Sequence, residues 1–449
     1  MSSLEVRALL ALAFLYASRM LGLFMVLPVF ALYAEDYPGS SAFMVGLALG
    51  IYGLSQGVLQ IPFGLLSDRI GRKPLIFAGM LLFLAGSVLA ATADSLLMLV
   101  LARALQGSGA VASVVMALLS DLTKEQNRTR AMASVGASIG LSFGVAMVVG
   151  PIIAAHWGLA GVFWVTSVLA GMGLLVVLFA VPSPAARHGG HEVIALPSML
   201  GRVLRDGELL RLDVGIFVLH FAQMAIWVVL PLMLEDVFGF DRDRHWLLYL
   251  STMGGGFVLM VPFIWYGESR RKMKPVFILA VALLLIAEGV MASAGTVFHI
   301  MALGLLLFFM AFNLLEATLP SLVSKLSPAG IKGTAMGVYS TSQFFGAFCG
   351  GLAGGIVAQQ WGSTAVFWMS MSSVLIWLIC AATMRPPRYL RTVEVALGEK
   401  GELDSKALID GVAGVVDVVV IPSENVAYVK VDDAHFDQAE MDRLCGCSR

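Results

Sequence analysis

A chain of 449 residues that is 59% apolar and only 13% charged, with a mean hydropathy of +0.87, carries about half the charge of a soluble globular protein. This excludes an ordinary soluble fold, and the net charge of -1 gives no sign of a nucleic-acid partner. The 47 glycines and 16 prolines, many inside apolar runs, suit membrane helices, where close packing and local breaks are tolerated.

Twelve apolar runs are long enough to cross a hydrocarbon core of about 30 Å. Spans 1 to 6 fall near residues 8–33, 43–66, 74–93, 96–120, 130–155 and 160–181. Spans 7 to 12 fall near 213–235, 246–268, 275–294, 298–323, 333–358 and 364–384. The first run, interrupted by Arg19, reads as a retained span rather than a cleaved leader. The expected organisation is a six-helix half over 1–181, a linker over 182–212, a second half over 213–385 and a terminal domain over 388–449.

Lys and Arg collect in alternate loops: Arg69, Arg72 and Lys73; Lys124, Arg128 and Arg130; Arg187, Arg202, Arg205 and Arg211; Arg270, Arg271, Lys272 and Lys274; Lys325 and Lys332. The opposite loops hold Glu35, Asp36, Asp94, Glu235, Asp236, Asp241 and Asp243, with only Arg242 and Arg244 as basic residues. By the positive-inside rule both termini are cytoplasmic, in a multi-pass protein of a bacterial inner membrane.

The two sets of six repeat at an offset of 200 to 204 residues. Val26-Leu27-Pro28 returns as Val229-Leu230-Pro231, and Pro62-Phe63 with Asp68 returns as Pro262-Phe263 with Glu268. Trp157-Gly158 with Phe163-Trp164 returns as Trp361-Gly362 with Phe367-Trp368. An even number of spans per repeat gives both halves the same orientation, about an axis along the membrane normal, with a substrate path between them. After Pro386-Pro387, β-branched runs at 393–397, 415–421 and 426–431 alternate with helical patterns near 404–411 and 434–444. This predicts a small α+β, ferredoxin-like domain in the order β-α-β-β-α.

Gly64-Leu65-Leu66-Ser67-Asp68-Arg69-Ile70-Gly71-Arg72-Lys73-Pro74 resembles the loop signature of the major facilitator superfamily at every signature position. Arg103 followed by Gln106-Gly107-Ser108-Gly109 resembles that family's span 4 signature. Gly150-Pro151 sits where its antiporters carry a Gly-Pro motif, though Ala146 and Ala154 replace the flanking glycines. Arg19, where drug exporters of the family carry an acidic residue before Pro28, is a second departure. Arg103, Phe312-Asn313-Leu314-Leu315-Glu316 and the terminal domain are similar to the YajR-type transporters, which are proton-driven exporters.

The resemblance implies an all-α membrane fold of twelve helices in two halves, and a small-molecule substrate moved by alternating access rather than an enzymatic reaction. It implies a proton gradient as energy source, with no cofactor. It also implies a conformational switch in which Asp68 engages the start of span 11 and the neighbouring charges Arg72 and Asp121 when the transporter faces outward. Gly64, Gly107, Gly109, Gly150 and Pro151 are read as packing positions, with Gly64 permitting close helix approach.

A charge inside a span is expensive in lipid, so Arg19, Arg103, Glu288 and Glu316 must face protein or a wet cavity. Glu316, with Asn313 one turn earlier on the same face, is the first candidate to carry a proton; Glu288, and His220 with Gln223, follow. The structural alternatives are an interhelical hydrogen bond for Glu316, a packing role for His220, and helix-locking cations at Arg19 and Arg103. Arg19 is also placed to meet an anionic substrate or to neutralise Glu316. Cys445-Gly446-Cys447 is half a metal site at best, so no metal is expected. Uptake or facilitated diffusion, and membrane-anchored sensing through a ligand or protein partner of the terminal domain, are the competing functions.

Overall fold

The structure, a computed structural model, describes residues 1–123, 125–182, 197–327 and 331–385, and in the terminal part 391–396, 411–421, 426–432, 435–437, 440, 441 and 443. The first half comprises α1 (Ser3–Val26), α2 (Phe30–Ala34), α3 (Ala42–Ile70), α4 (Arg72–Ala91), α5 (Leu96–Ser108), α6 (Ala112–Leu122) and α7 (Glu125–Phe179). A short linker helix, α8 (Pro197–Val203), precedes α9 (Gly207–Asp236), α10 (His245–Ser269), α11 (Met273–Ala292), α12 (Phe298–Leu326), α13 (Lys332–Trp361) and α14 (Ser363–Ala382).

Eleven of the helical segments are long and apolar enough to cross a membrane. One of them is two spans in series. At 1.5 Å per residue, the 55 residues of α7 would extend about 80 Å if straight, far beyond a hydrocarbon core. Gly158, at φ 63°, reverses the chain there, so α7 supplies spans 5 and 6 and the total is twelve. Two other spans are broken at predictable places: Pro28 separates α1 from α2, and Gly109 separates α5 from α6.

The repeat seen in the sequence returns as backbone geometry. Gly71 and Arg271, 200 residues apart, both take positive φ (99° and 54°) in the turns after α3 and α10. Gly158 and Gly362 do the same (63° and 84°) where spans 5 and 11 turn back into 6 and 12. Trp157 and Trp361, one residue before each reversal, are exposed at the same end, as expected of aromatic anchors in a membrane interface.

Within the halves, α1 packs on α7 and α3 on α5, while α11 packs on α12 and α14 on α9. Between them the principal contact is α13 on α3, supported by α10 on α7. Glycine sets the first of these distances. A Cβ added at Gly46 would lie 2.1 Å from the carbonyl of Gly351, and one at Gly355 would lie 2.4 Å from that of Ala42. A second glycine face of the same helix meets α9, where a Cβ at Gly350 would lie 2.1 Å from the Phe221 carbonyl.

These contacts are confined to the middle and to the acidic end of the bundle. There Gln359 accepts a hydrogen bond from the Phe43 backbone N–H (3.2 Å), and Arg242 pairs with Glu235 (2.7 Å) while lying over the Tyr33 ring (5.5 Å). Burial, together with neighbouring Asp236, Asp36 and Glu235, raises the Glu35 carboxyl above its ordinary range. Toward the basic end the halves part. A Cβ at Gly136, Gly140 or Gly337 would meet nothing within 4 Å, and Leu141 is 70% exposed.

The terminal part forms a sheet of β1 (Arg391–Ala396), β2 (Val415–Ile421) and β3 (Val426–Val431) in the order β1-β3-β2. Both outer strands run antiparallel to β3, so β1 and β2 are parallel with a strand inserted between them, the split arrangement of ferredoxin-like folds. Its two predicted helices fall largely outside the described residues. Lys430, buried on β3, donates to the carbonyls of Lys325 and Ser327 at the end of α12, and Asp417 pairs with Arg202 of α8 (3.3 Å). A cation at a helix C-terminus is favoured by the helix dipole, so this sheet is seated on the second half.

Gly350→Ala is expected to lower the thermal stability of the purified protein by about 1–3 kcal/mol, because two backbones must separate to admit the methyl group. Gly136→Ala, in open space, is expected to leave it unchanged or raise it by up to about 1 kcal/mol through helix propensity. Equal melting shifts for the two would contradict backbone contact as the packing determinant.

Candidate functional site

The loop signature connects α3 to α4. Gly71 adopts a φ that L side chains rarely take, and Pro74 falls in the first turn of α4, where its missing N–H costs nothing. Arg72 pairs with Asp121 of α6 (3.3 Å) and donates to the Ser67 hydroxyl. Lys73 donates to the carbonyls of Leu178 and Val181 (3.3 and 3.0 Å) at the end of α7. The loop therefore ties together the basic end of the first half, and Arg69 stays exposed. The Asp68 side chain lies outside the described residues, as does its expected engagement with the start of α13.

A matching ion pair in the second half has its charges exchanged. Glu268, the repeat partner of Asp68, binds Lys325 (3.0 Å), which stands 204 residues after Asp121. The sequence repeat alone could have located this pair.

Of the positions read as close packing, Gly107, Gly109 and Gly150 are so. Added Cβ atoms would come within 2.3 Å of the Tyr52 carbonyl, 2.3 Å of the Gly79 carbonyl and 2.5 Å of the Met25 carbonyl respectively. Gly64 is different: a Cβ there would meet only the Ser113 hydroxyl, at 3.8 Å. The expected close approach at Gly64 is absent in this conformation, since the helix faces the region where the halves have parted. Pro151 lies within α7, one residue after the contact of Gly150 with α1.

Arg19 and Arg103 are buried at 2% and 0% exposure around Tyr52. Arg19 donates to the Tyr52 hydroxyl (3.1 Å) and to Gln56 (2.6 Å) and lies over the Phe83 ring, while Arg103 stacks over Tyr52 at 4.9 Å and donates to Gln106 (2.9 Å). Gln106 passes the network on to Ser87 (2.8 Å). Among the described residues neither guanidinium meets a carboxylate, and Nε and one Nη of each have no hydrogen-bond partner. The expectation that Arg19 neutralises Glu316 is therefore not met here. Tyr52 and Gln56 were not singled out from the sequence as partners of these cations, although Gln56 lies one turn after Tyr52 on α3, a spacing legible in the sequence.

In the second half, α9, α12 and α13 bring together His220, Glu316 and Gln343. His220 Nδ1 faces the Ile216 carbonyl (3.3 Å) and so carries the proton of the neutral ring. Its bare Nε2 accepts from the Gln343 amide (2.8 Å). Glu316 Oε1 stands 3.6 Å from the same Nε2, buried and without a hydrogen bond, although the side chain as a whole is 34% exposed. Asn313, one turn earlier on α12, presents a buried Nδ2 that likewise has no partner among the described residues. Asp213 and Tyr339 extend the group along α9 and α13, with Tyr339 in electrostatic reach of both Asp213 and Glu316.

Gln343, Tyr339 and Asp213 carried no motif and were not singled out from the sequence. Two other candidates lie apart from the group. Gln223 is buried in α9 and joins none of these hydrogen bonds among the described residues. Glu288 is fully buried in α11 between Ala287 and Met291, both oxygens without partners. A run of rings, Phe24, Phe143, Phe312 and His220, crosses between the halves at centroid distances of 4.9, 6.0 and 5.9 Å. Cys445 and Cys447 lie outside the described residues.

The sequence matches the Major Facilitator Superfamily over residues 12–351 and again over 273–417. It is 46% identical over 441 residues to the inner membrane transport protein YajR of Escherichia coli, covering 98% of this chain and 97% of that one. It is 28% identical over 360 residues to the multidrug resistance protein MdtH of Aeromonas hydrophila, covering 79% of this chain and 89% of that one. Among solved structures, the nucleoside transporter NupG superposes with a TM-score of 0.67 at 12% identity, covering 84% of this chain and 99% of that chain, a likeness of fold.

Tyr52→Phe is expected to destabilise the protein by about 1.5–3 kcal/mol, the worth of a hydrogen bond to a charged group. Tyr52→Leu should cost about 0.5–2 kcal/mol more, since it also removes the ring beneath Arg103. Thermal unfolding of both variants checks the order. A Leu variant as stable as the Phe variant would show that the stacking contributes nothing.

Proposed function

Because the chain belongs to the major facilitator superfamily and is a transporter, we propose that it exports a small molecule in exchange for protons, with His220 and Glu316 sharing the coupled proton. The observation that carries this reading is the unpartnered Glu316 Oε1, 3.6 Å from His220 Nε2, on a side chain that opens into the space between the halves. A buried oxygen with no donor is costly as a carboxylate and satisfied as a carboxylic acid, so occupancy by a proton depends on what the neighbouring imidazole holds. One proton placed between the two groups is available to water from the open side and separated from the other side by the Phe143–Phe312 contact.

The distribution of Lys and Arg supports an orientation in which the basic end, both termini and the terminal sheet are cytoplasmic. On that orientation the present opening faces the cytoplasm. Substrate enters there, the halves rock about the α3–α13 contact, and release follows on the far side. Exposed leucine, valine and tryptophan side chains around the bundle, such as Leu175, Val258 and Trp265, provide the surface that membrane lipid covers. The relative named a multidrug resistance protein supports export as the direction. Arg72, Asp121 and the rest of the loop signature act as the conformational switch by holding one rigid end of the first half.

Glu316→Gln keeps the volume and fixes the neutral form. Reconstituted in vesicles, the variant is expected to exchange substrate as wild type does while losing its response to an imposed pH gradient; equal responses would make Glu316 structural. For orientation, a single cysteine at position 69 in a protein otherwise free of cysteine should react with an impermeant maleimide in inside-out vesicles alone. Labelling in intact cells would reverse the assignment.

A further inference from the structure

The hydrogen bond from Gln343 to His220 has a consequence for the proton site, and the inference drawn from it rests on the reading of that site given above. His220 is a residue of α9, its acidic neighbour Glu316 belongs to α12, and Gln343 belongs to α13. Three helices thus meet at one imidazole nitrogen. The Ile216 carbonyl fixes the proton of the neutral ring on Nδ1, which leaves the Nε2 lone pair as the only place an added proton can go. That lone pair is already taken by the Gln343 N–H at 2.8 Å.

We propose that Gln343 is a positioning residue for the proton site: its amide N–H holds the bare Nε2 of neutral His220 to α13, and it gives way when a proton takes that nitrogen and the imidazolium turns to Glu316. The step balances simply. A proton arriving from the open cavity adds to the Nε2 lone pair, the Gln343 N–H···Nε2 bond breaks, and an Nε2–H···Oε1 bond to Glu316 forms across the present 3.6 Å. Deprotonation runs the same sequence backward. Two donors cannot share one nitrogen, so the amide must withdraw or present its oxygen instead.

The choice of helix gives this exchange its reach. Gln343 stands two to three turns before Gly350, Gly351 and Gly355, through which α13 presses on α9 and α3. Releasing the amide loosens the link between α13 and α9 at the end where the halves have already parted. The groups that meet the His220 nitrogen are Glu316 from α12 and Gln343 from α13; Tyr339 of α13 is in electrostatic reach of Glu316 and of Asp213, which stands two turns before His220 on α9. From α14 comes the Trp377 ring, packed at Gly215, and the first half approaches through Phe143 behind Phe312. None of the latter two carries charge, so the competition for Nε2 lies between Gln343 and Glu316.

The test is a pH titration of His220 by nitrogen NMR on the full-length, histidine-labelled protein in phospholipid vesicles, the signal being identified by its loss in His220→Asn. Wild type should show a neutral ring protonated on Nδ1. Gln343→Leu, which has neither donor nor acceptor, should raise the proton affinity of His220 by about three- to tenfold, moving the midpoint upward by about 0.5 to 1 pH unit. Gln343→Glu, which offers the imidazolium an acceptor, should move it further upward, and it keeps the test open should the Leu variant fold poorly. Protection of amides in the first half of α13, corrected for the intrinsic pH dependence of exchange, should fall on acidification in wild type and be lower at every pH in Gln343→Leu.

A midpoint unmoved by either Gln343 variant, with Glu316→Gln lowering it, would leave the proton site standing and make Gln343 purely structural. A His220 that stays neutral across the range in wild type and all variants would remove the proton site and this proposal together. An Nε2-protonated neutral ring in wild type would overturn the proposal alone.

Discussion

The close approach of α13 to two partners at once governs the rest of this structure. In a membrane there is no hydrophobic drive to bring helices together, so what holds them is dispersion between surfaces that fit, and small residues give the closest fit. Gly346, Gly350 and Gly354 lie four residues apart and let the backbone of α9 in; Gly351 and Gly355, on the adjacent face, admit α3. One helix thereby belongs to the second half through one stripe and touches the first half through another. Its first turns carry neither contact, which leaves them beside the open space where Gln343 and Tyr339 project toward Glu316.

Charge is divided unequally between the halves. The first encloses two guanidiniums stacked about Tyr52, with amide and phenol oxygens as their acceptors and no carboxylate among the described residues in contact. The second half holds an imidazole and carboxylates, His220 on α9, Glu316 on α12 and Asp213 on α9. In the proposed cycle a proton added there raises repulsion between the halves, and removing it lowers that repulsion.

Hydropathy and the repeat made the helical architecture legible before any coordinates, since length, charge spacing and the reversals at Gly158 and Gly362 are properties of local sequence. The terminal strands were equally plain from β-branched alternation, and β2 and β3 keep their expected limits. The candidate site was legible only in part. Glu316 and His220 stood out because ionisable groups in apolar runs are rare, whereas Gln343 and Tyr339 sit in a helix rich in polar and small residues, where nothing local marks them. Their role comes from a three-helix junction separated in sequence by more than a hundred residues. Gly64 misled for a related reason: the signature fixes its identity, but the space around it depends on which end of the bundle is open.

The ion pairs at the basic end make small changes between the halves sufficient. Arg72–Asp121 and Glu268–Lys325 each lie within one half, and Lys73 and Lys430 bind helix-terminal carbonyls of the half on which they sit. None of these spans the gap, so in the proposed cycle none has to break. Among the described residues, the contacts that change in that cycle include the backbone approaches along α3 and α13, the packing of α10 on α7, the hydrogen bond at Gln359, the Arg242–Tyr33 contact and the Phe143–Phe312 rings. In the proposed cycle new contacts at the other end replace them, so that the two arrangements stay close in free energy. Against a difference that small, an exchange of one hydrogen bond for one charged pair, worth about 1–2 kcal/mol, shifts the populations by roughly tenfold. In the proposed cycle, rigid ends and a glycine seam between them carry a change at one imidazole nitrogen to the whole bundle.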